Sequence, residues 1–374
     1  MKVEREIAGT ALPFAAGTAA YLYIFSALET HTAALASASA FMAAVLLLLA
    51  ERAGILMSGS RVLRTEIAAS MCICGIYAAA ADAALALSRT GEEGLLISMA
   101  TGFGESMQSV IESIPFKNDT TGHVLTALLT GDRNGISAEV REAFRDSGAS
   151  HILALSGLHL GMIYGIASFI TGILGNTLAA KRLRSLILIA ACGFYTMATG
   201  AGASISRAFI FIVISEAARL CGRKSSLKNT LMVSLLIHLL LSPSSMKDVG
   251  FQLSYAAIAG IAWVYPWLKG FWPGDIHDDA FPIRCIRRIW DSAALSISCQ
   301  LTTGPLAFAY FGTFPPQFIL TNLIAIPLTG TIIPAALLTL TLSAAGWHPQ
   351  LLLSATEGMV TALCEILSLL STMS

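Results

Sequence analysis

The chain has 374 residues, 55% of them hydrophobic and 12% charged, with a mean hydropathy of +0.71. Soluble domains carry roughly 25% charged residues, so a water-soluble globule is excluded. Lysine plus arginine and aspartate plus glutamate number 23 each, which excludes a bulk polyanion-binding surface and leaves any attraction for an anionic partner to be local.

Apolar runs recur along the whole chain, each long enough to cross a hydrocarbon core of roughly 30 Å as a helix. They are too long and too continuously apolar for barrel strands, and every backbone polar group in lipid needs an internal partner. The expected fold is therefore all-α, a polytopic transmembrane bundle of about eleven spans. They fall at 8–28, 32–50, 67–87, 150–174, 185–200, 203–220, 229–242, 250–268, 293–311, 317–344 and 350–371. The first is read as a retained span, not a signal peptide, because it runs on from Ala8 to Leu28 and another follows at once.

Basic residues in short loops set orientation. Arg52, Arg61 and Arg64 follow the second run, Lys181, Arg182 and Arg184 the fourth, Arg219, Arg223, Lys224 and Lys228 the sixth, and Arg284, Arg287 and Arg288 the eighth. The alternate loops hold only Lys247. This alternation places the N-terminus in the cytoplasm and, with an odd span count, the C-terminus outside. Seven cysteines, six of them inside apolar stretches, read as packing thiols.

The linear organisation is then 1–87, N-terminal spans; 88–149, an extracytoplasmic loop; and 150–374, the main membrane core. In the loop, Phe103, Met107, Val110, Ile111 and Ile114 recur at helical spacing. Ser137 suits the N-cap of a second short amphipathic helix carrying Val140 and Phe144, which Gly148 ends. A packed surface cap and a substrate-guiding vestibule are both open readings of this loop.

In the fourth run Gly157, Gly161 and Gly165 fall every fourth residue and predict a face on which another helix approaches closely. His159 lies about 200° around from Gly157, with Ser156 near its side, so it points away from that seam. A structural histidine between helices and a place in a polar cavity both fit it. No elbow motif or acidic orienter makes Ser156 and His159 a hydrolase pair, no ligand set makes a metal site, and no phosphate-binding loop makes an ATPase. Arg207 sits near the outer end of the sixth run, where an ionisable group marks function by default. Glu216 lies about 180° round the same helix from it, so the pairing expected of Arg207 is with Asp82 or a carbonyl. Gly250-Phe251-Gln252-Leu253-Ser254-Tyr255 opens the eighth run, and Gln300 to Pro305 interrupts the ninth. Pro327 and Pro334 make the run from Phe318 either a kinked helix or two half-helices. Most of these polar features, with His151, converge toward the outer side.

Gly131-Asp132-Arg133, Phe144, Gly148, the segment from His151 through Leu155-Ser156-Gly157-Leu158-His159, Arg207-Ala208, Gly222-Arg223, Gly250 to Tyr255, and Phe314 with Asn322 and Pro327 occur in this order. Together they resemble the competence domain of the ComEC family, closely over about residues 120–330. Members are bacterial inner-membrane proteins regarded as the channel for transforming DNA. The resemblance implies a channel, not an enzyme, conducting single-stranded DNA into the cytoplasm during natural transformation. Fuller members carry an OB-like domain and a metallo-β-lactamase-like nuclease domain. Residues 88–120 are too short for the first, and no histidine-rich motif of the second precedes Ser374.

The path residues it implies are His151, Ser156, His159, Arg207, Gln252, Ser254, Tyr255 and Asn322, with cations for phosphates and aromatics for bases. No cofactor and no metal are expected. The outer loop is acidic on balance, so an outer DNA receptor would deliver the strand, and a cytoplasmic helicase-like motor would pull it. The glycine stripe is compatible with a homo-oligomer in the bilayer. The alternative is a secondary transporter of a smaller anionic solute on the same core, for which broken helices and a membrane-level arginine are suited.

Overall fold

A computed structural model describes residues 2–25, 68–69, 71–76, 78–79, 82, 95–175, 177–223, 226–271, 281–312 and 317–372. The expected span at 32–50, the basic loop with Arg52, Arg61 and Arg64, and Phe314 lie outside the described residues. All regular structure in the described residues is helical. The helices are α1 Lys2–Ala20, α2 Leu95–Ser113, α3 Asp119–Thr130, α4 Ala138–Asp146, α5 Ser150–Leu153, α6 Gly157–Thr171, α7 Leu178–Ala198, α8 Ala203–Leu220, α9 Leu227–Leu241, α10 Val249–Ala259, α11 Tyr265–Lys269, α12 Phe281–Phe311, α13 Phe318–Ala344 and α14 Gln350–Ser371.

Among the described residues three stretches are long and apolar enough to cross a membrane: Gly157–Leu174, α13 and α14. The fifteen-residue α9 is apolar but shorter. The expected count of about eleven is not confirmed among the described residues, and several of their other helices contain charges. Lys181, Arg182 and Arg184 lie inside α7, Arg207, Glu216 and Arg219 inside α8, and Arg284, Arg287, Arg288 and Asp291 inside α12. The apolar helices show their side chains outward. Phe169 is 86% and Ile173 87% exposed, a cost in water of roughly 2 kcal/mol for each large side chain that lipid removes.

The chain forms two compact units, residues 1–92 with 210–255 and residues 93–209 with 256–374. This spatial grouping differs from the linear division into 1–87, 88–149 and 150–374. In the first unit α1 packs on α9 and on the 3-10 turn Pro243–Lys247. A Cβ on Gly17 would collide with the Cys72 carbonyl, and one on Gly75 with the Phe14 carbonyl, so two backbones touch there. Thr18 Oγ1 donates to Phe14 O at 3.0 Å and to Gly75 O at 3.4 Å across this approach.

In the second unit α6 packs on α7 and α13, α2 on α3 and α7, and α14 on α13, α4 and α3. Phe144, Leu125, Leu128, Leu160, Leu188, Ile332 and Leu363 form its buried interior. The helices α3 and α4 are set by local chemistry. Asn118 Oδ1 accepts from Thr120 N–H to open α3, and Gly131 closes it at φ +83°. A side chain at Gly131 would also meet Leu155 at 2.6 Å. Ser137 Oγ accepts from Val140 N–H to open α4, and Gly148 follows its end at φ +82°, as the sequence predicts. α12 continues as helix through the polar stretch Gln300 to Pro305, and of the two readings of α13 the single helix holds, through Pro327 and Pro334. A π-turn falls at Gly260–Val264. There a Gly260 Cβ would strike Ser298 O on α12.

Candidate functional site

The fourth apolar run is not one helix. Ala154 takes an extended backbone with φ −83° and ψ 130°, and Ser156 takes φ −125° and ψ 172°. The chain thus leaves α5 and re-enters helix at Gly157. A serine followed by glycine suits this break, because its hydroxyl bonds the backbone as an N-cap. Ser156 Oγ accepts from Leu158 N–H at 3.3 Å, and Ser156 N–H donates to His159 Nδ1 at 3.2 Å. This is a capping box with histidine in the place usual for Glu or Gln.

The box fixes the imidazole. With Nδ1 accepting, the proton of the neutral ring sits on Nε2. His159 is 1% exposed, and its Nε2 has no partner among the described residues. Buried polar atoms are nearly always bonded, so this donor awaits water or a ligand.

Arg207 on α8 is 5% exposed, and its Nη2 lies 3.5 Å from both O and Oγ of Ser204. A Cβ on Gly157 would stand 3.6 Å from that Nη2 and 3.4 Å from Ala208 Cβ. Gly157 therefore permits the guanidinium to lie against the start of α6. Helix N-termini carry partial positive charge, so the added cation makes this end of α6 favourable for an anion. Of the pairings expected of Arg207, that with a carbonyl is present at Ser204 O; Asp82 Oδ2 accepts from Ser244 N–H at 3.4 Å, and Glu216 pairs with Arg219 at 2.9 Å.

In the predicted packing seam Gly157 lies against Ala208 and Arg207, whereas Gly161 and Gly165 are exposed and a Cβ on either meets nothing within 4 Å among the described residues. The face turns outward because His159 and Leu160, on the opposite side, take the buried positions. The close backbone approach lies at Gly17 and Gly75, whose spacing in sequence gives no sign of it.

On α13, Asn322 Oδ1 and Thr329 Oγ1 are buried without a partner among the described residues. Seven residues apart, they share one face of the helix. His151 is exposed on α5, with Nδ1 3.2 Å from Gly148 O, outside the apolar span. Gln252, Ser254 and Tyr255 belong to the other unit. There Gln252 Nε2 donates to Met246 O at 2.9 Å and to Tyr23 Oη at 3.1 Å. Tyr255 Oη lies 3.5 Å from His238 Nδ1, and Phe251 packs between their rings at 4.6 and 5.0 Å. His238, buried on α9, is a polar group that sequence reasoning missed; a lone histidine within an apolar run was the available signal.

Lipid-length apolar helices with outward side chains, and buried polar atoms at a helix break, define a helical membrane protein. Comparison with known proteins refines this. The family model described as "Competence protein" matches residues 128–374, and the chain belongs to that family. It is 27% identical to ComE operon protein 3 of Bacillus subtilis (strain 168) over 66% of this chain and 31% of that protein. It is 23% identical to the uncharacterized protein YcaI of Escherichia coli (strain K12), over 60% of this chain and 28% of the other. The competence protein ComA of Neisseria gonorrhoeae is 26% identical over 37% of this chain and 21% of its own length. The chain thus spans a third or less of the curated relatives it matches. No solved structure matches it significantly.

Proposed function

We propose that this chain is a multi-pass inner-membrane channel core through which single-stranded DNA enters the cytoplasm during natural transformation. The observation that carries this reading is the family match over 128–374, which contains every residue of the proposed path. The residues assigned to it are His151, Ser156, His159, Arg207 and Asn322 from one unit and Gln252, Ser254 and Tyr255 from the other, each taken by itself. Phosphates need cations and donors along such a path, and the His159 Nε2–H and the Arg207 guanidinium supply both.

In this reading the N-terminus is cytoplasmic and the C-terminus extracytoplasmic. The chain acts as a channel and not as a nuclease. An outer receptor hands over the strand, a cytoplasmic helicase-like motor draws it in, and the outward face of Gly161 and Gly165 is free for lipid or a second copy. The domain roles keep the linear division: spans at 1–87, outer helices at 88–149 and the core at 150–374.

A second reading, transport of a smaller anionic solute, is favoured by the enclosure of His159, whose Nε2 is reached by no open surface. Uptake of radiolabelled DNA in a deletion strain separates the two. DNase-protected label disappears in the first case and is unchanged in the second.

A further inference from the structure

Residues 131–153 carry Asp132, Glu139, Glu142 and Asp146 against Arg133, Arg141 and Arg145, so the outer segment as a whole does not attract a polyanion. The fold sorts these charges. Arg133, Arg141, Arg145, Asn134 and Ser150 surround a pocket of about 290 Å³ over the buried Leu153, and no acidic residue lines it. Pockets that hold small ligands begin at roughly 300 Å³.

The arginines are held by acceptors that leave most of their charge unneutralised. Arg133 Nε donates to Leu153 O at 3.1 Å, and Arg141 Nη2 donates to the carbonyls of Arg133 and Ile136, both at 3.3 Å. Only Arg145 meets a carboxylate, Asp146, through Nε at 2.8 Å. The terminal amino groups of Arg133 and Arg145 and Nη1 of Arg141 have no acceptor among the described residues. Arg141 and Arg145 stand four apart on α4, a like-charge spacing that costs a helix roughly 0.2–0.5 kcal/mol, and Arg133 is folded onto the same pocket. Three guanidiniums line one cavity, and guanidinium N–H groups are the donors that match phosphate oxygens.

We propose that this pocket binds a phosphodiester of a nucleic-acid strand, as a capture point outside the membrane-spanning helices; the proposal rests on the DNA-uptake reading. The acidic neighbours favour a strand over a lipid surface. A flat anionic bilayer would meet Glu139, Glu142 and Asp146 together with the arginines, whereas a single phosphate entering the pocket meets a lining of three arginines and no carboxylate, with Asp146 behind Arg145. The pocket also alters the picture of an acidic loop unable to attract DNA, because the cations are gathered at one place.

The test uses the full chain in phosphatidylcholine nanodiscs and a fluorescent twenty-nucleotide oligothymidylate, with wild type, Arg145→Ala, Arg145→Glu and Arg141→Gln/Arg145→Gln compared. Arg145 is chosen because it supports no backbone carbonyl, so its substitution spares the loop, and melting curves check this. Arg145→Glu is expected to weaken binding at least about tenfold at low salt, with Arg145→Ala intermediate. The salt slope should fall by about 0.7 for each phosphate that is no longer neutralised. Equal binding by all four proteins, or no binding by any, overturns the pocket. So does a difference seen only as retention on phosphatidylglycerol vesicles, which would make it a lipid headgroup site. The deletion strain's transformation phenotype is independent of these arms, so the uptake reading can fail while the pocket stands, and the reverse.

Discussion

Ser156 and His159 hold each other at the start of α6. The Ser156 N–H donates to His159 Nδ1, and Ser156 Oγ lies 2.9 Å from the same nitrogen. One face of the imidazole therefore serves the fold, and Nε2 is left for function.

That division of labour is separable by mutation. Gln at N3 is a normal capping-box partner and its amide keeps a donor, so His159→Gln is expected to keep both the melting temperature in detergent and much of the uptake. His159→Ala loses cap and donor, at a stability cost of about 1 kcal/mol. If His159→Ala takes up DNA normally at matched protein level, the buried donor has no role in transport.

Ser156→Ala should destabilise by about 1 kcal/mol through loss of the cap, whereas Ser156→Asp should restore most of it, since Asp caps as well as Ser. Thermal unfolding of the purified protein measures both. Equal melting of all three would mean that α6 starts elsewhere.

Arg184 ties the α6–α7 hairpin. Its Nη2 donates to Ser168 O at 2.8 Å and to Ser168 Oγ at 2.6 Å. Arg184→Ala is expected to cost about 1.5–3 kcal/mol, the range for a hydrogen bond to a charged group. Arg184→Lys, with its point charge, should recover only part. Chemical denaturation of the detergent-solubilised protein reads the difference.

Gly17 and Gly75 leave no room for a side chain. Gly17→Val and Gly75→Val should each separate α1 from its neighbour and lower the amount of folded protein, at about 1–3 kcal/mol for overpacking. Gly161→Val and Gly165→Val, facing open space, should not. Fluorescence-detected size exclusion of tagged variants compares the four. Loss of folded protein with the second pair would place an unseen partner helix on that face.

Much of this fold was legible because period and caps are local. Ser137 and Gly148 marked both ends of α4, and Met107, Ile111 and Ile114 marked the buried face of α2. The break at Ala154 to Ser156 was hidden, since hydropathy cannot distinguish a continuous apolar helix from one restarted by a serine cap. The inward side of α6 was hidden for a different reason. Spacing shows which residues share a side, but only packing shows which side is inward, and His159 with Leu160 took it. The arginine pocket was invisible because Arg133 and Arg145, twelve residues apart, line one cavity only in the fold, and composition averages them against their acidic neighbours.

Whether DNA enters through this chain is decided by DNase-protected uptake of radiolabelled DNA in a clean deletion carrying wild type or His159→Ala at matched protein levels. Protected label should vanish in the deletion, return with wild type, and fail to return with His159→Ala. Unchanged uptake in the deletion would rule out DNA entry by this route and leave solute transport as the function of this core.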